Sequence, residues 1–477
     1  MAIKPLVFIP GLPGSELRQV STGKTFFPPS PSDLISETKK KKLVRLLSGP
    51  DVPPGDIVAG QPIRSLRLGK IELGKRAEAL YDLLRNSYHY TIDGGNNFRA
   101  IGWDWRKAID APEVQADIVA AIDTLSAAND GARVVMLVHS TGGLVLRRLL
   151  EQQPRLVEKI EQILALGVPW AGTLAAVKLI AKGEKFGFGP VSLSAANVRE
   201  ALRRSQAAYD LFPPDPAPGK ADLRDSAGRP LNLFVGEGPN PRKMLSPLVD
   251  LRWVRPADPQ VAAMATDADG RLGIRPSEIT LSDSLPVPPI TNIAGWGVTM
   301  ETTAVLSANG GLAFEESKQG DGTVPVASVS WLRGSGVRTF FVPVGIYPSN
   351  GVPFHHSLIW SSPPVRQLFD EVLTDRAKAP YVCGSADSDE TIDSHSDVTI
   401  RLVAEDPSGK PLPQARYQFK GLMTQPKSFG GEARIDAPLK RASIRPDPQG
   451  LFRFVVEVRW GNGDESERRE IPILFKR

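Results

Sequence analysis

Residues 133–152 constrain the fold of this chain more than any other stretch. An apolar run, Val134-Val135-Met136-Leu137-Val138, meets His139-Ser140-Thr141-Gly142-Gly143 and continues at helical spacing to Gln152. An apolar strand that turns through small residues into a helix is half of a βαβ unit. Its surroundings repeat the pattern: residues 98–103 read as a strand, 113–127 as an amphipathic helix, 133–138 as a strand, 142–152 as a helix and 160–166 as a strand. Such alternation predicts a parallel sheet covered by helices, an α/β fold. A further strand at Leu6–Ile9 stops at the breakers Pro10-Gly11-Leu12-Pro13-Gly14. Strands at 291–294 and 339–344 and a helix at 365–377 complete the expected core.

At 477 residues the chain exceeds one ordinary domain, so large insertions or a second domain are expected. The reading is a catalytic-type α/β domain over 1–383, with proline-rich cap insertions at about 15–95 and 172–290. A polar Ser/Asp linker follows at 384–397. Beyond it, alternating segments separated by Pro and Gly turns predict a small β-sandwich-like domain over 398–477.

Hydrophobic residues at 41% and charged residues at 23% exclude a disordered chain. No stretch approaches the roughly 18 uninterrupted apolar residues of a membrane span. The opening MAIKPLVFIPGLPGSEL holds too short an apolar run for a secretory leader and reads as a strand. One cysteine, Cys383, rules out an internal disulfide, and the expected compartment is the cytoplasm. The net charge of +5 does not suggest nucleic acid. The only basic run, the lysines at 39–42, reads as a solvated face, with contact to anionic lipid headgroups as the alternative.

The turn at Ser140 has the form of a nucleophile elbow, in which the serine sits in a strained turn with Oγ raised above the sheet and a helix N-terminus beneath it. The usual first glycine of GxSxG is Val138 here. A serine hydroxyl needs an adjacent base oriented by a carboxylate. Of five histidines, His139 sits on the elbow itself and is expected to point elsewhere. His89 lies in the first insertion and His395 in the linker. The order Ser, acid, His of the α/β-hydrolase fold leaves His355 and His356, of which one can reach Ser140. Gly320-Asp321-Gly322 supplies the acid, 181 residues after Ser140 and 35 before His356. Two main-chain N–H donors for an oxyanion fall to Thr141, after the nucleophile, and to Leu12; Pro13 has no N–H.

Five blocks in this order carry a family resemblance: residues 7–17, Asp104-Trp105-Arg106, the elbow, GDGTVP at 320–325, and His356 followed by Ile359 and Val365. With Leu166-Gly167-Val168-Pro169-Trp170-Ala171-Gly172 after the elbow, the chain resembles the lecithin:cholesterol acyltransferase family over residues 5–370. The resemblance implies His356 rather than His355 as base. It also implies a ping-pong reaction in which Ser140 takes an acyl group from an ester lipid and passes it to water or an alcohol.

Asp104-Trp105-Arg106 reads as a buried aromatic with a structural ion pair, and Trp170 and Trp296 read as pocket wall or core. No cofactor or metal motif is present in the sequence. The expected function is therefore a serine-dependent lipid acyl hydrolase or acyltransferase. A small-ester or thioester hydrolase and an inactive partner-binding scaffold are the rivals.

Overall fold

The computed structural model describes residues 3–213 except 49–52, 54, 69–70, 76, 189–190 and 203–204, together with 222–229, 234–235 and 244–245. It further describes 288–374 except 308–311, 318, 333–335, 345–347, 350–351 and 354. Beyond 374 it describes the strand segments 381–386, 400–405, 416–420, 427–429, 432–435, 455–459 and 474–476.

One large sheet organises the chain. Its strands, numbered here in chain order, begin with β1 (Leu6–Ile9), β2 (Phe98–Ala100), β3 (Val134–His139), β4 (Ile160–Leu166), β5 (Ile290–Trp296) and β6 (Val337–Pro343). These six lie side by side in the order β2-β1-β3-β4-β5-β6, and every pair is parallel. The apolar runs are continuous rather than alternating because both faces are covered: all four residues of β1 and all six of β3 are buried. Each large aliphatic side chain removed from water there contributes about 1.5–3 kcal/mol. One face packs against the helices Pro112–Ala128 and Thr141–Gln152, whose Ile118, Ile122, Leu144 and Leu149 share a core with Val7, Ile9, Met136 and Val138. The other packs against Ala77–Tyr88 and Pro363–Leu373, whose Leu80, Leu84, Leu368 and Phe369 share a core with Leu6, Phe8, Val135 and Leu137. This is the three-layer arrangement of an α/β-hydrolase.

The order reverses at β1, which lies between β2 and β3. In such sheets the crevice beyond the C-terminal strand ends at a reversal is where ligands bind. The segments leaving those ends are Pro10-Gly11-Leu12 and Ser140-Thr141.

The C-terminal segments expected as a small β-sandwich-like domain over 398–477 include several described strands. β7 (Tyr381–Ala386), β8 (Ile400–Glu405), β9 (Lys427–Phe429), β10 (Glu432–Ile435) and β11 (Leu474–Lys476) extend the central sheet in the order β9-β10-β8-β7-β11-β6. β11 pairs antiparallel with β6 and parallel with β7. Among the described C-terminal strands, Arg416–Lys420 and Val455–Arg459 pair apart from it, as an antiparallel ribbon. Alternation marks a segment as a strand but does not say which edge it joins, and the open edge of β6 takes these up. Most of the expected linker at 384–397, from 387 onward, falls outside the described residues, as does most of the second cap.

The described part of that cap opens with the helix Leu174–Ala181, the hairpin of Phe186–Phe188 with Val191–Leu193, and the helices Ala195–Leu202 and Gln206–Asp210. In the first insertion the lysines at 39–42 lie on the helix Glu37–Ser48, which buries Leu43, Val44 and Leu47 and exposes Lys39, Lys41 and Lys42. Among the described residues no helix is long and apolar enough to cross a membrane.

Candidate active site

Ser140 occupies a left-handed conformation, φ 53° and ψ −132°, between the end of β3 and the helix Thr141–Gln152. A non-glycine residue there costs on the order of 1–3 kcal/mol and persists only where its surroundings enforce it. Here they do. The Ser140 N–H donates to the Leu166 carbonyl at 3.0 Å, and its own carbonyl accepts from the Gly143 N–H at 3.0 Å. Gly11 lies directly over it: a methyl group at position 11 would sit 2.5 Å from Ser140 Cβ and 3.0 Å from Oγ. Gly142 lets the helix N-terminus approach the carbonyl of Pro10, which an added Cβ would meet at 2.8 Å. The glycines at 11 and 142 are thus required by close approach on either side of the serine.

The loop after β1 is held from below by two tryptophans. The Trp103 indole N–H donates to the Pro10 carbonyl at 2.9 Å, and the Trp105 indole N–H to the Ser15 carbonyl at 3.2 Å. The main-chain N–H of Trp103 donates to Ser15 Oγ at 3.0 Å. Both indoles are buried. Between them Asp104 accepts two bonds from the Arg106 guanidinium, at 2.8 and 2.6 Å, while Arg106 also donates to the Leu46 carbonyl at 3.0 Å. The Asp-Trp-Arg run is therefore a strut joining the first insertion to the loop that carries Leu12. Among the described residues no hydrogen bond engages the main-chain N–H of Leu12 or of Thr141.

Asp321 and His356 are brought together across 35 residues of sequence: the His356 Nδ1–H donates to Asp321 Oδ2 at 2.7 Å. Asp321 is fully buried, and its other oxygen accepts from the main-chain N–H groups of Thr323 at 3.1 Å and Val324 at 2.8 Å. The His356 N–H donates to the Asp321 carbonyl at 2.9 Å. His356 Nε2 is buried and, among the described residues, has no hydrogen-bond partner. No bond to Ser140 Oγ is formed in this resting arrangement, as is common where such contacts tighten only with substrate present. His355 instead caps its own turn, accepting from the Ser357 N–H at 3.3 Å.

Three features of the site are not legible in the motifs. Gly167, at φ 56°, cradles the pair: a Cβ there would lie 2.9 Å from Asp321 Oδ2 and 3.0 Å from His356 Nδ1. The block at 166–172 contains that glycine, but nothing local announces its conformation. The same loop braces the acid, because the Thr173 hydroxyl donates to the Thr323 carbonyl at 2.5 Å and the Ala171 N–H to Ser328 Oγ at 3.1 Å. Finally, His139 does not point away from the site. Its ring packs on that of His356 with centroids 4.6 Å apart.

Trp170 and Trp296 are both buried, as wall or core, and the Trp170 indole donates to Asn292 Oδ1 at 3.1 Å. Arg147, on the helix after Ser140, lies buried over Trp170 and Trp331, with its guanidinium carbon 5.9 and 5.7 Å from the ring centroids. Burial lowers its pKa to about 10, so it remains a cation at neutral pH. His89 is exposed and remote in the fold, and His395 lies outside the described residues.

Among known proteins, residues 58–232 match the model of the lecithin:cholesterol acyltransferase family. The lecithin-cholesterol acyltransferase-like 1 protein of Arabidopsis thaliana is 27% identical over 241 residues, covering 48% of this chain and 49% of that protein. The chain thus matches about half the length of this curated relative. Of solved structures, the Tle4–Tli4 complex is similar at a TM-score of 0.44 and 15% identity, over 75% of this chain and 95% of that one. Phospholipase PlaB from Legionella pneumophila is similar at a TM-score of 0.23 and 9% identity, over 99% and 90%. The family match and the relative's identity agree with the ordered blocks read from the sequence, and over residues 58–232 the chain is similar to the lecithin:cholesterol acyltransferase family.

Proposed function

We propose that this protein is a serine-dependent acyl hydrolase or acyltransferase acting on a glycerolipid or another hydrophobic ester. The observation that carries the reading is the buried Asp321–His356 pair, whose free Nε2 belongs to a ring packed against the residue preceding Ser140. In this reading His356 Nε2 takes the proton of Ser140 as Oγ attacks the ester carbonyl. Asp321 holds the imidazole in the tautomer with Nδ1 protonated and stabilises the imidazolium. The main-chain N–H groups of Leu12 and Thr141 receive the oxyanion, helped by the positive end of the helix Thr141–Gln152. Collapse expels the alcohol or lysolipid, which takes its proton from His356 and leaves Ser140 acylated. Water or an acceptor alcohol then attacks the acyl-enzyme, giving its proton to the same nitrogen, and collapse breaks the ester bond to Ser140 as Oγ takes that proton back. The similarity to the lecithin:cholesterol acyltransferase family supports the lipid substrate.

The test is fluorophosphonate labelling of wild type and Ser140→Ala, read by intact-protein mass, beside fatty-acid release from mixed phospholipid vesicles. A single adduct on wild type only, with release falling by on the order of 10⁴-fold or more in the variant, is the expected result. Labelling of Ser140→Ala, or vesicle activity that survives it, would refute the assignment. A ladder of ester chain lengths completes the test: rates that peak at short chains would replace the lipid substrate with a small ester.

A further inference from the structure

The histidine that precedes Ser140 makes two contacts to the segment that carries the proposed base. His139 is buried, and its Nε2–H donates to the main-chain carbonyl of His356 at 2.9 Å. A carbonyl can only accept, so the neutral His139 ring must carry its proton on Nε2. The two imidazoles lie 4.6 Å apart at an interplanar angle of 36°, and Trp360 packs against the His139 ring at 4.9 Å and 73°.

The bonds of His356 therefore form a consistent set. Its N–H goes to the Asp321 carbonyl, its carbonyl to His139, and its Nδ1–H to Asp321 Oδ2. One face of its ring meets His139, and Gly167 stands against the Nδ1 edge. Only Nε2 is left without a partner among the described residues. Two of these restraints come from a residue covalently joined to Ser140.

We infer that His139 is a positioning residue that ties the nucleophile turn to the loop bearing His356 and so sets the approach of Nε2 to Ser140 Oγ. The inference rests on the proposed roles of Ser140 and His356. Without the His139 bond, the described polar ties of His356 itself would all be to Asp321, and its ring could rotate about them. A displacement of about 1 Å in such an arrangement can cost on the order of a hundredfold in rate.

The experiment compares His139→Gln, His139→Phe and Ser140→Ala in the full chain. Glutamine keeps a donor near the position of Nε2 without the ring; phenylalanine keeps the ring without the donor. Three readouts are taken: kcat and KM on a short-chain nitrophenyl ester, the urea midpoint, and the low-field proton resonance of the His356 Nδ1–H held by Asp321. The expected result is a His139→Phe variant that folds, keeps KM, loses about ten- to a hundredfold in kcat and broadens or loses the low-field proton, with both restored to within a few-fold in His139→Gln.

A His139→Phe protein with wild-type kcat and an undisturbed low-field proton would overturn the inference. So would Gln and Phe variants that fall together in kcat in proportion to their loss of stability, because that would be a purely structural role. The failure of the underlying reading is separate, since Ser140→Ala would then retain activity. In that event the low-field proton still decides whether His139 positions His356.

Discussion

The two halves of the site are built on opposite principles. Around Asp321 and His356 nearly every polar atom is satisfied: two main-chain N–H groups and an imidazole on the carboxylate, and bonds at the N–H, carbonyl and Nδ1 of the histidine. Around Ser140 the main chain of the serine is itself bonded, but several neighbouring groups are not. The serine is in a strained conformation, the N–H groups of Leu12 and Thr141 are unengaged, and the Thr141 hydroxyl is buried without a partner, the last three counted among the described residues. Buried polar groups are usually paired, and those that are not tend to mark where a ligand or reacting group belongs. In the proposed reading, the saturated half keeps the base His356 in one orientation, whereas the other half keeps donors and strain in reserve for a substrate.

The largest effect should come from breaking the saturated half at its charge. Asp321→Asn preserves an acceptor for Thr323 and Val324 but removes the carboxylate that fixes the His356 tautomer, so kcat on a short-chain ester should fall by about 10⁴-fold. Circular dichroism and the urea midpoint would show whether the protein remains folded. A kcat within tenfold of wild type would mean that the pair does not serve as an acid and base orienter.

A smaller loss is expected when the cradle is filled. Gly167→Ala places a methyl 2.9 Å from Asp321 Oδ2 at φ 56°, combining a close contact with a strained backbone. Stability should drop by about 1–3 kcal/mol, and kcat by on the order of a hundredfold as the imidazole shifts. Urea unfolding and ester kinetics measure the two separately; wild-type values in both would show that the loop yields without moving the pair.

The smallest and most discriminating change is Thr141→Val, which keeps the volume and deletes the unpaired hydroxyl. If the unsatisfied half is unsatisfied in the folded free protein, removing that hydroxyl should raise stability by about 1 kcal/mol, read as an upward shift of the urea midpoint. A downward shift would reveal a partner for Oγ1 and would narrow the contrast between the two halves.

Much of the architecture was legible because it depends on local rules. An apolar run buried on both faces reads as a core strand, and small residues between strand and helix read as the turn at Ser140. The helix Pro112–Ala128 appears within a few residues of where periodicity places it. The strand expected at 98–103 is shorter, Phe98–Ala100, because Trp103 leaves the ladder to hold the Pro10 carbonyl. The strands Met300–Leu306 and Leu312–Ser317, which pair ahead of the Asp321 turn, had no reading of their own, since half-exposed residues blur the alternation.

By itself the sequence determined the α/β layering and the order of Ser140, Asp321 and His356, because strand, turn and helix preferences act over a few neighbouring residues. Tertiary structure alone decided that Gly167 must face the Asp321–His356 pair and that His139 packs on His356. It also decided which edge the described C-terminal strands join, β11 pairing with β6. Each of these turns on which distant segment arrives within 3–5 Å, and neither a periodicity nor a spacing specifies the neighbour a residue will meet.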